Sequence, residues 1–336
     1  MYHNKSVAVL LSISAALGAC DSQPTHDLTA PEDPTIRPLD PGRSALSSLS
    51  DTWAAKPPLP TARQGPVAAG LNNIVYVIGG SSPSNVRLAR VDALSLATNT
   101  WSRRAPLPDP RWDLNGASAI NGRIYVSGGR DASGAQTKTL FVYNPATDTW
   151  VRKADMPRAG GCGTQGVIGG LLYVTTDCGL FGTDTTRFYR YDPVTNTWTK
   201  LASPPDNFND YGVSGVIGGK FYLAGAGALF VVYDPATKRW TQRAYTVHPE
   251  RDMCGAVLNG KLFVAGGLDA SNAEAGLPGA VRTLRVYDPA TNTWHLRALM
   301  PTPRWDAAGA AAGGLFFVIS GYNETTVTRN VVAYTP

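Results

Sequence analysis

The chain has 336 residues, enough for one large domain or two smaller ones. Only 16% of the residues are charged, and the formal net charge of +5 is spread without a run of lysine or arginine, which argues against a nucleic-acid-binding surface. The 35 glycines and 25 prolines are typical of many short strands joined by turns.

Residues 1–20 have the pattern of a signal peptide. Lys5 gives a basic start, and the apolar stretch from Ser6 to Leu17 is too short to span a bilayer. The stretch ends in Leu17-Gly18-Ala19-Cys20, which resembles the lipobox of bacterial lipoproteins. That resemblance implies cleavage before Cys20, acylation of Cys20, and export to the periplasm or the cell surface with a lipid anchor in a membrane. The alternative is an ordinary signal peptide with a chance cysteine, and which membrane receives the anchor stays open.

Residues 21–45 are polar and contain five prolines. They lack apolar periodicity, so they cannot bury enough surface to fold alone. We expect a disordered tether that reaches roughly 60–70 Å at ~3 Å per residue. The tether would hold a folded domain, residues 46–336, clear of the membrane.

That domain is built from an internal repeat of about fifty residues. Six tryptophans recur at intervals of 48, 49, 48, 42 and 54 residues, at Trp53, Trp101, Trp150, Trp198, Trp240 and Trp294. Such a period indicates a repeat architecture.

Each unit contains the same sequence of predicted elements. A strand of small residues leads into a two-residue turn, at Asn72-Asn73, Asn121-Gly122, Gly169-Gly170, Gly218-Gly219, Asn259-Gly260 and Gly313-Gly314. These residue types tolerate the positive φ angles of a tight hairpin. A second apolar strand follows, then a variable loop, a third strand that ends in Tyr-Asp in several units, a Pro-x-Thr turn, and a fourth strand that begins with the tryptophan. The pattern therefore predicts an all-β fold.

Four strands per unit, a Gly-Gly doublet, Tyr-Asp-Pro and the spaced tryptophan resemble the kelch repeat from about Leu46 to the end of the chain. Three units lack the doublet, at Thr175-Thr176-Asp177, Ala224-Gly225-Ala226-Gly227 and Ser320-Gly321. The resemblance implies an all-β, six-bladed kelch β-propeller with four antiparallel strands per blade.

The two ends of the domain complement each other. The last unit ends in Val331-Val332-Ala333-Tyr334 without a fourth strand, and Trp53 has no unit before it. We expect the N-terminal strand to complete the last blade, because closure removes the exposed edges of an open sheet. The tyrosine seven residues before a tryptophan should place both rings between neighbouring blades, where they form much of the core.

Three cysteines remain beyond Cys20. Cys162 and Cys178 flank the Gly169-Gly170 turn almost symmetrically, and an exported protein permits a disulfide between them. The alternative is two separate small buried residues. Cys254 is expected to be a buried thiol, and no Cys/His spacing indicates a metal or a cofactor.

The candidate binding site is the mouth of the central channel, which the loops entering each innermost strand would surround. Five of these loops carry an arginine, at Arg63, Arg111, Arg158, Arg251 and Arg304. The fourth loop has Asn209-Asp210 instead, and two loops contain Arg-Trp-Asp, which adds Trp112, Asp113, Trp305 and Asp306. Arginine forks fit carboxylates and aromatic rings stack on sugars, so this rim suits an acidic or carbohydrate ligand. The alternative is that each arginine pairs with a nearby aspartate or carbonyl and ties the blades together.

Enzyme hypotheses rest on less. The galactose-oxidase group shares kelch blades, but its copper site needs two histidines and two tyrosines, and only His248 and His295 lie in this domain. Periplasmic kelch epimerases that mutarotate sialic acid would need a carboxylate and an arginine at the mouth, for which Glu250-Arg251 is the candidate. We therefore expect a monomeric, membrane-tethered binding module for a protein or carbohydrate ligand, with a sugar mutarotase or epimerase as the alternative.

Overall fold

The computed structural model describes residues 51–176, 186–205, 212–225, 229–244, 250–269 and 279–336. Within these ranges the chain forms six four-stranded antiparallel sheets and one short two-stranded sheet. The same residues include no helix long and apolar enough to cross a membrane. The predicted signal peptide, Cys20 and the predicted tether lie outside the described residues.

The strands of the six sheets, here called blades 1 to 6, fall into four layers. The innermost strands are β2 (Val67–Leu71), β6 (Gly116–Ile120), β10 (Gln165–Ile168), β14 (Val213–Ile217), β19 (Cys254–Leu258) and β24 (Ala308–Ala312). The second strands are β3 (Ile74–Ile78), β7 (Arg123–Ser127), β11 (Leu171–Thr176), β15 (Lys220–Ala224), β20 (Lys261–Ala265) and β25 (Leu315–Ile319). The third strands are β4 (Val91–Ser95), β8 (Leu140–Asn144), β12 (Arg187–Asp192), β16 (Phe230–Asp234), β22 (Leu284–Asp288) and β26 (Val331–Thr335). The outermost strands are β5 (Thr100–Arg104), β9 (Thr149–Arg152), β13 (Thr197–Lys200), β17 (Arg239–Gln242), β23 (Thr293–Leu296) and, in blade 6, β1 (Thr52–Lys56).

The six blades form a closed ring. Each innermost strand adjoins the innermost strands of the two neighbouring blades, and β24 of blade 6 adjoins β2 of blade 1. The two-stranded sheet, β18 (Glu250–Arg251) with β21 (Leu268–Asp269), extends blade 5. The all-β, six-bladed prediction is confirmed.

The tight turns after the innermost strands have the predicted backbone. Asn72 and Asn73 have φ angles of 52° and 58°, and Asn121 and Gly122 have 48° and 74°. Positive φ at both central residues is what a two-residue hairpin with the twist of its strands requires. The repeated Asn/Gly pairs therefore fix the register of each inner hairpin.

The ring is closed by pairing the first strand with the last. Strand β1 pairs antiparallel with β26, with Thr52 opposite Thr335 and Trp53 opposite Tyr334. The Asp51 N–H also donates to the Thr335 carbonyl at 2.7 Å. The predicted completion of blade 6 by the N-terminal strand is therefore confirmed.

Each outer tryptophan ties its blade to the preceding one. Trp150 packs against Tyr143 with ring centroids 4.9 Å apart, and its Nε1–H donates to the Ala105 carbonyl of blade 1 at 2.9 Å. The same bond recurs in all six blades, from Trp53 to Ala298, Trp101 to Pro57, Trp198 to Ala154, Trp240 to Ala202 and Trp294 to Ala244. The tryptophans therefore supply inter-blade hydrogen bonds as well as buried area.

The repeated turn has a further function that the sequence analysis missed. The residue two positions before each tryptophan has a left-handed backbone, for example Asn292 with φ of 56°. Its Oδ1 accepts from the Tyr287 hydroxyl at 2.8 Å and from the Ala244 N–H of the preceding blade at 3.3 Å. Asparagine and aspartate tolerate this backbone better than most residues. The turn therefore joins blades while it reverses the chain.

Candidate functional site

A cavity of about 180 Å³ lies where the six innermost strands begin. All six blades contribute to its lining, which includes Gly65, Asp113, Cys162, Val213, Asp252 and Asp306. The cavity is therefore the mouth of the central channel, at the position the sequence predicted for a ligand site.

Five equivalent residues at this mouth share a left-handed backbone. They are Gly65, Asp113, Cys162, Asp252 and Asp306, with φ angles of 59°, 49°, 56°, 57° and 51°. Their backbones bond from blade to blade: the Gly65 N–H donates to the Asp306 carbonyl at 3.0 Å, and the Asp306 N–H donates to the Asp252 carbonyl at 3.0 Å. The Cys162 N–H donates to the Asp113 carbonyl at 2.7 Å. We call these five residues the mouth ring.

The mouth ring brings three carboxylates to the cavity. The Asp113 carboxylate lies 3.4 Å from Nε of Arg130, and the Asp252 carboxylate lies 3.7 Å from Nε of Arg251. Oδ2 of Asp306 accepts from the Gln64 side-chain amide at 2.9 Å. Burial raises the pKa of Asp306 to about 6, although the Gln64 bond and the charge of Arg251 act in the opposite direction. Two of the three carboxylates are therefore paired with an arginine, and the third is hydrogen-bonded to an amide.

The arginines predicted for the rim are buried between strands instead. Arg63 and Arg304 are 0% and 1% exposed. Arg63 donates to the Arg90 carbonyl at 3.0 Å and forms an ion pair with the buried Asp92. The Arg304 Nη1 donates to the Asn330 carbonyl at 2.9 Å. These contacts fit the alternative that each arginine pairs with a nearby aspartate or carbonyl, but they join strands of one blade and not neighbouring blades.

Arg111 is also buried, with 5% exposure. Its guanidinium donates to the Pro110 carbonyl at 3.1 Å and lies 3.2 Å from the Asp109 carboxylate. None of Arg63, Arg111 and Arg304 belongs to the cavity lining. The cationic rim expected from the sequence is therefore not formed by these three residues.

Arg158 does not occupy the matching position of its loop. A glycine N–H of the preceding blade donates to the backbone carbonyl of Arg63, Arg111 and Arg304. In blade 3 the acceptor of the equivalent bond is the Gly160 carbonyl, to which the Gly129 N–H donates at 2.8 Å. The position lies four residues after a buried apolar residue, at Leu59, Leu107, Met156 and Met300. Counting from that residue identifies Gly160 from the sequence. Arg158 lies two residues earlier and is partly buried.

Arg251 is likewise displaced, by one residue. It pairs with Leu268 as Trp112 pairs with Arg130 in blade 2, so Glu250 occupies the arginine position of blade 5. Glu250 is 4% exposed and forms an ion pair with Arg285. The position of Arg285 in β22 matches that of Asp92 in β4. In blade 5 the Glu250–Arg285 ion pair therefore occupies the positions of the Arg63–Asp92 pair of blade 1, with the two charges exchanged.

This placement removes the geometry that a mutarotase site needs. The hypothesis required Glu250 and Arg251 to reach the cavity beside Trp112 and Trp305. The cavity lining contains none of these four residues. A carboxylate held in a buried ion pair is also not positioned to act as an acid or base on a ligand at the mouth.

The two remaining tryptophans are partly buried beside the mouth ring. The guanidinium carbon of Arg87 lies 3.9 Å from the centre of the Trp112 ring. The Trp305 ring packs against Tyr322 with centroids 5.3 Å apart. Both rings therefore belong to the loop surface around the mouth, on either side of Gln64.

The other candidate residues fall into two groups. Asn209, Asp210, Cys178 and His248 lie outside the described residues. Cys162 is disulfide-bonded, but its pairing with Cys178 stays a prediction. Cys254 lines the cavity as a buried free thiol, and burial raises its pKa to about 12. His295 is exposed on β23, where Nε2 lies 2.9 Å from the Thr293 hydroxyl.

Comparison with known proteins identifies related repeats. The KLHDC2/KLHL20/DRC7 kelch-repeats domain matches residues 47–225, more than half of the 336, and the Kelch motif matches residues 251–301. F-box/kelch-repeat protein At1g16250 of Arabidopsis thaliana is 33% identical over 88 residues, which cover 26% of this chain and 22% of that protein. Kelch-like protein 7 of Mus musculus is 27% identical over 103 residues, which cover 31% of this chain and 16% of that protein.

The chain thus spans less than a quarter of the length of these two relatives. Among solved structures, YjhT has the same fold, with a TM-score of 0.69 at 17% sequence identity. That superposition covers 82% of this chain and 96% of YjhT.

Proposed function

The chain belongs to the kelch-repeat family, and from that premise we propose that it is an exported, lipid-anchored binding module whose ligand enters the mouth of the central channel. Kelch propellers generally mediate protein interactions, which supports the role as a binding module. The Leu17-Gly18-Ala19-Cys20 pattern supports the anchor. Fatty-acid labelling of the full chain that persists in a Cys20→Ser variant would contradict it.

The observation that carries the ligand site is the cavity shared by all six blades. Its volume of about 180 Å³ is below the ~300–1,000 Å³ of most ligand pockets. The ligand therefore inserts a small end group and lies with its remainder across the loop surface.

The charges of the mouth ring distinguish between the two ligand classes expected from the sequence. Asp113, Asp252 and Asp306 present carboxylates, and carboxylates accept hydrogen bonds from hydroxyl groups. Although Arg130 and Arg251 neutralise part of the charge on two of them, these carboxylates can only repel an acidic ligand. We therefore propose a neutral carbohydrate, with one terminal ring in the cavity and the next rings near Trp112 or Trp305.

The test is a calorimetric titration of the full chain in detergent with neutral, acidic and amino sugars. A neutral oligosaccharide should bind, and Asp113→Asn or Asp306→Asn should weaken it about tenfold through the loss of charge-assisted hydrogen bonds. Asparagine tolerates the left-handed backbone at both positions, so the ring itself should persist. Preferred binding of an acidic sugar, or unchanged affinity in both variants, would refute the carbohydrate proposal.

A matched control uses the residue first predicted to bind the ligand. Arg111 does not line the cavity, so Arg111→Lys should leave the affinity unchanged. A loss of binding in this variant at unchanged thermal stability would move the site from the mouth ring to the arginine loops.

A further inference from the structure

A second cavity lies between blades 5 and 6, far from the mouth along the innermost strands. It measures about 290 Å³, and its lining includes Leu258, Lys261, Phe263, Val286, Arg297 and Tyr334. Strand β19 begins at Cys254 in the mouth cavity and ends at Leu258 in this second cavity. The two sites are therefore at opposite ends of the same strand. We call the second cavity the seam pocket.

The same position is differently filled in the four junctions between blades 1 and 5. Between blades 1 and 2, Tyr76 packs against Tyr143 with centroids 5.8 Å apart. Tyrosine pairs occupy the next three junctions, Tyr125 with Tyr191, Tyr173 with Tyr233 and Tyr222 with Tyr287. Between blades 5 and 6 the pair is Phe263 with Tyr334, at 5.9 Å. The phenylalanine lacks the hydroxyl that the four preceding blades carry at this position.

The arginine at this junction also differs. In blade 1, Arg104 is partly buried between blades 1 and 2, and its Nε is enclosed. Its counterpart Arg297, also three residues after the outer tryptophan, is exposed. The space that the Arg104 side chain fills between blades 1 and 2 is therefore open between blades 5 and 6, in the seam pocket.

Three charged side chains line the seam pocket, those of Lys261, Asp51 and Arg297. Nζ of Lys261 is paired with the Asp288 carboxylate at 2.8 Å. Asp51 accepts from the Tyr334 hydroxyl and from the Ala298 N–H. The Arg297 guanidinium has no hydrogen bond or ion pair with the residues that the structure describes. The pocket thus combines an aromatic wall with an unpaired guanidinium.

We propose that the seam pocket binds a small aromatic carboxylate. The ring packs against Phe263 and Val286, which are 3% and 2% exposed. The carboxylate takes the two-pronged hydrogen bond that a guanidinium offers to a planar anion, here from Arg297. This site is independent of the mouth ring.

The test is an NMR and calorimetric titration of the full chain with benzoate, and with benzamide as the uncharged control. Benzoate should bind saturably, with a Kd on the order of 1 mM for so small a ligand. Arg297→Ala should weaken binding about tenfold. Phe263→Tyr, which restores the residue of blades 1 to 4, should also weaken it by placing a hydroxyl in the pocket.

Arg243→Ala is the matched control, because Arg243 has the same position in blade 4 as Arg297 in blade 5. It should bind benzoate like the unmodified chain, as should Asp113→Asn at the mouth. The proposal is overturned if benzoate shows no saturable binding up to about 10 mM. Equal affinity for benzamide, or unchanged affinity in Arg297→Ala, overturns it as well.

Discussion

At the scale of single residues, the position two before the outer tryptophan joins neighbouring blades in four of the six blades, through Asp51, Asp148, Asn196 and Asn292. Asn196 and Asp148 have φ angles of 56° and 52°, and each accepts from a tyrosine hydroxyl and from a backbone N–H of the preceding blade. Blade 4 has Lys238 at this position, with φ of 57°. A lysine cannot accept these bonds, and a left-handed backbone is unfavourable for it. Lys238 is therefore a weak point of the scaffold.

We expect Lys238→Asn to stabilise the chain by about 1 kcal/mol, because asparagine suits the backbone and can accept from Tyr233 and from the Ala202 N–H. In a domain of this size the melting temperature should rise by about 2–4 °C, measured by calorimetry. Lys238→Gly relieves the backbone without adding an acceptor and separates the two effects. Equal melting temperatures for the two variants would show that the added hydrogen bonds do not form.

A second residue-scale prediction concerns the raised pKa of Asp306, about 6 in the folded chain against about 3.9 when unfolded. Between these values the folded state binds the proton more tightly, so this group makes stability fall as pH rises from about 4 to about 6 and then level off. Asp306→Asn removes the titration but can keep the bond with Gln64. As the pH rises through this window, the free energy of unfolding of Asp306→Asn should therefore increase relative to that of the unmodified chain.

Urea unfolding at a series of pH values measures that difference. Asp155→Asn, at a carboxylate with 41% side-chain exposure, serves as the control. A difference between Asp306→Asn and the unmodified chain that is constant from pH 4 to 7 would argue against the buried carboxyl.

At the scale of elements, strand β1 closes the ring. Five residues of β1 pair with β26, and Trp53 contacts both Phe316 and Tyr334. Without β1, blade 6 would have an unpaired edge and an uncovered aromatic surface. Deletion of residues 46–56 should therefore give aggregated or unfolded chain in size-exclusion chromatography and circular dichroism.

Trp53→Phe is the graded counterpart of that deletion. It keeps a ring against Tyr334 but removes the 2.8 Å bond to the Ala298 carbonyl, so a loss of about 1 kcal/mol is expected. A deletion product that is monomeric and melts like the full chain would show that β1 is not needed for closure.

The elements also show which features the sequence could predict. The inner hairpins follow from Asn/Gly pairs whose backbone requirement is local, and the outer hairpins follow from a tyrosine and a tryptophan seven residues apart. Each pattern lies within a single blade, so these residues alone determine how the strands of the hairpin pair. The loops at the mouth have no such pattern, because Arg158 and Arg251 resemble Arg111 in type, but Arg158 lies two residues before the matching position and Arg251 one residue after it.

At the scale of the whole molecule, the sequence predicted the ring, the number of blades and the position of the cavity, but not which charged residues line it. Arg63 and Arg304 are absent from the cavity because the innermost residues of the mouth ring come two positions later. Which side chain faces the axis depends on the left-handed turn at Asp113, Asp252 and Asp306. That turn is set by contacts between blades, which a single repeat does not reveal.

The pairing of β1 with β26 has a practical consequence for engineering. Tyr334 and Trp53 face each other as Tyr143 and Trp150 do, where six residues separate the tyrosine from the tryptophan along the chain. Thr335, Pro336, Asp51 and Thr52 already lie between Tyr334 and Trp53, so a two-residue link would give the same spacing and make blade 6 continuous, and the chain could then be opened at any loop of the mouth surface. Circular permutants of this kind would place the chain termini, and any group fused to them, on any chosen blade.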